Sequence, residues 1–232
     1  MFGGLFALRF KDKLHLVLGF SAGAVIGVAF FDLLPEAINL SSIKYDSELI
    51  TSVVALGFMT YLILDRLAIL HSHEDVLSVG THDHSTRSKR GTLGAASLSL
   101  HSFLDGMAIG LAFKVAPAVG AVVTVAVLAH DFSDGINTVN LILKNGGSMR
   151  LAYRWLLVDA LTPVAGLFST LFFSLSESTL GLMLAVFCGF FLYIGASDLL
   201  PESHHGHPKM LTTIMTFMGV AFLYGIVRLA GV

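Results

Sequence analysis

The chain has 232 residues, 55% hydrophobic and only 13% charged, with a formal net charge of −2 and a mean hydropathy of +0.80. A soluble domain carries roughly 25% charged residues, so an ordinary water-soluble domain is excluded and the chain reads as an integral membrane protein. The small net charge says nothing about partners, no nucleic-acid partner is expected, and the single cysteine, Cys188, rules out a disulfide framework within the chain.

Seven apolar spans are predicted, at approximately 14–35, 49–70, 92–113, 117–143, 151–175, 179–200 and 210–231. Each is long enough, at about 1.5 Å per residue, to cross a hydrocarbon core of about 30 Å. Helices are expected because a lone apolar segment must satisfy its own backbone hydrogen bonds. The expected fold class is therefore an all-α integral membrane bundle, with residues 1–232 forming a single transmembrane domain. The opening "MFGGLFALRFKDK" is too short for a cleavable signal peptide, and residues 1–10 read as the tail of a further helix.

In chain order, the first span carries Gly19, Gly23 and Gly27, a small-x-x-x-small ridge suited to close helix packing. It ends in "DLLPE" at 32–36. After the second span comes a polar, His-rich connection at about 71–91, with His71, His73, Glu74, His82, Asp83 and His84. These side chains offer a place to gather metal; a solvated linker would carry the same composition.

The third span contains "HSFLDG" at 101–106 and the fourth "HDFSDG" at 130–135. Positions i and i+4 share one helix face. His101 therefore converges with Asp105, and His130 with Asp134. Asp131 is turned about 100° from His130 toward a neighbouring site, and Ser102 takes the corresponding place on the third span. A charged residue at the bilayer centre costs at least about 2.5 kcal/mol. No lysine or arginine lies deep in these two spans to offset three carboxylates. Imidazole and carboxylate are good ligands for Zn²⁺, Mn²⁺ and Fe²⁺, so a bound divalent cation is the natural counter-charge. A packing cluster or a proton relay remains the alternative on these residues alone.

"DLLPE" returns at 198–202, at the end of the sixth span. The first and sixth spans cross in opposite directions, as do the third and fourth. Matching motifs on oppositely directed helices predict an inverted-topology repeat, with a substrate site near the midplane. Asp32 and Asp198 are expected either to line a path or to cap helix ends, and Glu36 and Glu202 to lie at the interface. Arg9, Lys11, Lys13, Arg66, Arg87, Lys89, Arg90, Lys144, Arg150, Arg154 and Lys209 fall on one side, against Lys44, Lys114 and Arg228 on the other. The positive-inside rule puts the first group in the cytoplasm, with the N-terminus and the His-rich loop inside and the C-terminus outside.

Four stretches carry a family resemblance: "LSLHSFLDGMAIGLAF", "VLAHDFSDGINTV", "SAGAVIGVAFFDLLPEA" and "LYIGASDLLPES". They are similar to the fourth, fifth, second and seventh helices of ZIP metal-ion transporters, in a bacterial-type version. The resemblance implies eight helices, the first nearly absent here, and often a homodimer in the cell membrane. It implies zinc, or iron, manganese or cadmium, as transported substrate moving into the cytosol, with no cofactor. By position it implies His101, Asp105, His130 and Asp134 as the primary metal site, with Ser102 and Asp131 in an adjoining second site. A bacterial subgroup adds a sixth-helix glutamate beside a proline. Here that place reads Thr162-Pro163, with Asp159 close by.

Two other functions fit parts of the pattern. A cation diffusion facilitator, which exports metal, also pairs His and Asp at i and i+4, but has six spans and a soluble C-terminal domain. A membrane-embedded zinc hydrolase would need three ligands, an open position for water and a general base. His101, His130 and Asp134 with Asp105 or Asp131 would meet that need, although no H-E-x-x-H is present. No phosphate-binding glycine-rich loop points to ATP use.

Overall fold

The computed structural model of the protein describes residues 14–73, 84–204 and 210–231. The helices are α1 (Leu14–Val28), α2 (Leu34–Ser41), α3 (Ser47–His73), α4 (His84–Val115), α5 (Pro117–Lys144), α6 (Met149–Ser169), α7 (Glu177–Tyr193), α8 (Leu200–His204) and α9 (Met210–Ala230). Two π-helical turns join α1 to α2 (Ala29–Leu33) and α7 to α8 (Ile194–Leu199). Among the described residues, seven segments are long and apolar enough to cross a membrane, as the sequence predicts. The first and sixth run further than expected, to Ser41 and His204, because each continues through its π turn into a short helix.

Local signals set the helix ends. Asp46 accepts the Leu49 N–H at 2.8 Å, and Ser148 accepts the Leu151 N–H at 3.2 Å, each capping the helix it precedes. Pro117 opens α5 at a position where its missing N–H leaves nothing unsatisfied. At the other end of α5, Gly146 has φ of 77°. The Gly147 N–H bonds the Ile142 carbonyl at 2.9 Å and the Gly146 N–H that of Leu143 at 3.1 Å. That left-handed turn favours glycine and closes the helix.

The inverted repeat is visible in the backbone. Both "DLLPE" segments contain a π turn that ends just before or at the leucine preceding the proline-bearing helix turn. A proline there lacks the N–H that would continue a regular ladder, and π turns collect where the ladder is interrupted. Gly23 and Gly189 each stand nine residues before the repeated aspartate. Gly23 of α1 faces the Thr216 backbone of α9, and Gly189 of α7 faces the Val54 backbone of α3. Each partner helix returns a glycine of its own: Gly219 against Phe20, and Gly57 against Val186. The predicted ridge of Gly19, Gly23 and Gly27 thus packs on α9. Its contact is mirrored in the α3–α7 pair.

The first, third, fourth and sixth spans bury most of their residues, while the second, fifth and seventh bury fewer than a quarter. α1, α4, α5 and α7 are therefore the inner helices, and the main core gathers on them. Of the His-rich connection, His71 and His73 belong to the end of α3 and His84 to the start of α4. Those helices have 27 and 32 residues, more than the ~20 a crossing needs, so helix replaces the expected loop there. Glu74, His82 and Asp83 lie outside the described residues, as do residues 1–13.

Candidate metal centre

α4 and α5 form a tight antiparallel hairpin joined by one extended residue, Ala116. His101 lies fifteen residues before that joint and His130 fourteen after it. At equal rise per residue the two imidazoles arrive at one level. Asp105 sits one turn nearer the joint and Asp134 one turn beyond it, so the four side chains form a staggered ladder.

The distances follow that ladder. His130 Nε2 is 3.1 Å from Asp105 Oδ2, and His101 Nε2 is 3.2 Å from both Asp105 Oδ2 and Asp134 Oδ2. One ligand atom from each residue lies within 4.8 Å of all the others. A tetrahedron with metal–ligand bonds of about 2.0 Å has edges of about 3.3 Å, close to these separations. All four residues are buried, His130 completely.

Hydrogen bonding inside the cluster is incomplete. One proton on His101 Nε2 cannot serve two carboxylates. Asp134 Oδ2 is close to it, yet the alignment makes no hydrogen bond, and this oxygen has no other partner. A buried orphan of this kind is costly unless something binds it. The His130 ring points the right way for a ligand. Its Nδ1–H donates to the Ala126 carbonyl at 3.1 Å, because a carbonyl can only accept. Nε2 then keeps its lone pair for a metal. His101 Nδ1 shares a 2.5 Å hydrogen bond with the Tyr61 hydroxyl of α3.

Ser102 and Asp131, which the resemblance assigns to an adjoining second site, have other surroundings. The Ser102 hydroxyl donates to Asp159 Oδ1 at 2.9 Å, and Thr138 donates to Asp159 Oδ2 at 3.3 Å. Asp159 is itself buried, so it ties α4, α5 and α6 together. Asp131 is partly exposed, and its Oδ1 is buried without a partner. Asp32 is not a helix cap: it is buried inside a π turn with neither carboxylate oxygen hydrogen-bonded.

Its repeat mate differs. His101, Asp134, Asp65, Asp198 and Glu202 are among the residues lining a cavity of about 430 Å³. Asp198 thus lines a cavity that His101 and Asp134 also line, and Glu202 joins it. Sequence reasoning passed over Tyr61, Asp65 and Thr138. Thr138 continues the spacing of four set by His130 and Asp134, a signal open to reading. A tyrosine in mid-span needs a partner for its hydroxyl, which marks Tyr61, but nothing local names His101 as that partner.

The comparisons with known proteins agree with this geometry. A model of the family described as ZIP zinc transporter matches residues 71–227. The chain belongs to the ZIP family. It is 37% identical to human zinc transporter ZIP4 over 110 residues, which cover 47% of this chain and 16% of that protein. It is 30% identical to the Drosophila melanogaster zinc transporter foi over 130 residues, covering 56% of this chain and 18% of that one. With the Saccharomyces cerevisiae zinc transporter YKE4 it shares 26% identity over 226 residues, 85% of this chain and 64% of the yeast protein. The chain spans less than a fifth of the length of the first two relatives. These ZIP relatives are eukaryotic and lend no support to a bacterial-type assignment. Membership of the ZIP family sets aside the cation diffusion facilitator.

Proposed function

We propose that this protein carries a divalent metal ion, zinc in the first place, across the membrane into the cytosol. The observation that carries the reading is the buried set of His101, Asp105, His130 and Asp134, whose ligand atoms lie within 4.8 Å of one another. With neutral imidazoles the set holds two negative charges, which a divalent cation balances. Two nitrogen and two oxygen ligands suit zinc; iron, manganese and cadmium are competitors for the same donors.

The cavity lined by Asp65, Asp198 and Glu202 supports a way out on the side where most of the lysines and arginines lie. Metal would pass from the four ligands to water and carboxylates in steps, each exchanging ligands rather than stripping all of them at once. Access would alternate between the two sides, as inverted-repeat carriers allow. The family and its relatives' printed names support a carrier over a hydrolase. A homodimer in the cell membrane, and a cytoplasmic metal-gathering role for the histidines around 71–84, belong to the same proposal.

Zinc uptake into proteoliposomes containing the purified protein, with lipid hydrolysis measured in parallel, tests this. Saturable uptake without hydrolysis is expected. Hydrolysis without uptake would replace the carrier by the enzyme.

A further inference from the structure

The two histidines of the cluster are oriented by different means. His130 is tied to its own helix through the Ala126 carbonyl. His101 is held from another helix, by the Tyr61 hydroxyl at 2.5 Å, forty residues away in the chain. Tyr61 is 9% exposed and wedged in an aromatic cluster. Its ring centroid is 5.3 Å from those of Phe190 and Tyr193 and 5.7 Å from that of His101. Phe190 and Tyr193 belong to α7 and its end, and α3 packs chiefly on α7. α4, by contrast, packs chiefly on α5 and α6, where Ser102, Thr138 and Asp159 tie the three together. The Tyr61–His101 hydrogen bond therefore crosses from one packed group of helices to the other, and it ends on a ligand.

We propose that Tyr61 is a positioning residue for the metal centre: its hydroxyl fixes the His101 ring so that Nε2 faces Asp105, Asp134 and the metal. This rests on the reading of the four side chains as a metal site. With metal on Nε2, Nδ1 carries the proton and donates it to the phenol oxygen, so the phenol selects the ring orientation that binds. The two ties have unequal consequences. His130 keeps its aim as long as α5 is intact. His101 keeps its aim only while α3 stands where it does against α4. A movement of one helix group past the other would release His101 first and loosen the metal without any change in the ligands themselves. Partners that orient a ligating histidine are worth about 10- to 100-fold in metal affinity.

Zinc affinity by calorimetry on the purified full chain, in four forms, tests the proposal: wild type, Tyr61→Phe, His101→Ala and the double variant. Tyr61→Phe keeps the aromatic packing and removes only the hydroxyl. It should weaken zinc binding about 10-fold or more, and this effect should vanish in the His101→Ala background. Equal affinity of wild type and Tyr61→Phe would overturn the proposal, as would the same loss in both backgrounds, which would mark a general packing effect. A wild type that binds no zinc would instead sink the metal site itself. If Tyr61→Phe does not fold, the His101 Nδ1 proton in zinc-loaded wild type decides by nuclear magnetic resonance. A hydrogen-bonded proton upholds the proposal, and one exchanging freely with water overturns it.

Discussion

Ser102 and Asp159 are hydrogen-bonded at 2.9 Å across the α4–α6 contact, one residue along the chain from His101. The family resemblance implies Ser102 in a second metal site; here its proton is given to a carboxylate that Thr138 also holds. The hydroxyl is occupied in tying helices together. Ser102→Ala should lower stability by about 0.6–1.7 kcal/mol, the range for side-chain hydrogen bonds within membranes. Zinc affinity should change by less than about threefold, because the hydroxyl is spent on Asp159 rather than on the four ligands. Thermal unfolding in detergent and calorimetry check the two halves. A tenfold loss of affinity would return Ser102 to the ligands.

The repeated glycine contacts make a stability prediction. A side chain on Gly23 or Gly189 would run into the backbone of Thr216 or Val54. Gly23→Val and Gly189→Val should each destabilise by about 1–3 kcal/mol, the usual penalty of overpacking. Gly225 has nothing within 4 Å of an added methyl group, and Gly225→Ala should be neutral or slightly stabilising, because alanine favours the helix. Equal melting temperatures for all three would contradict the packing scheme.

Much of this fold was legible because a membrane allows few solutions. Span lengths, the ladder of His101, Asp105, His130 and Asp134, and the oppositely directed "DLLPE" segments all follow from helix geometry and apolar content. What escaped was non-local. In the sequence Asp159 stands out only by its nearness to Pro163. That it meets Ser102 and Thr138 depends on how α6 lies across α4, which no spacing within one helix encodes. Tyr61 escaped for the same reason. Asp32 and Asp198 read identically in sequence, yet one is sealed in the core and the other lines a cavity.

Acidification should weaken metal binding. Imidazole and carboxylate ligands bind only when deprotonated, so protons compete with the metal. An unperturbed histidine titrates near about pH 6.5, so affinity should fall between about pH 7.5 and about pH 5.5. The sign is fixed: every proton taken up by a ligand must leave before metal enters. In the His101→Ala/His130→Ala variant whatever weak binding remains should depend less on pH across that window. A wild-type affinity that stays constant there would remove the histidines from the site.

The histidines around the α3–α4 connection stand apart from the four ligands in the sequence. Replacing His71, His73, His82 and His84 with serine should leave zinc uptake into proteoliposomes within about twofold of wild type, since the four proposed ligands are His101, Asp105, His130 and Asp134. Complete loss of uptake in a folded protein would move the essential chemistry to that connection.

The most direct test is X-ray absorption at the zinc edge on zinc-loaded protein, compared between wild type, His101→Ala and Asp134→Ala. The account predicts two nitrogens at about 2.0–2.1 Å and two oxygens at about 2.0–2.2 Å in the wild type. One imidazole should be lost in His101→Ala, and one carboxylate in Asp134→Ala. A spectrum with no imidazole, or one unchanged in both variants, would contradict it.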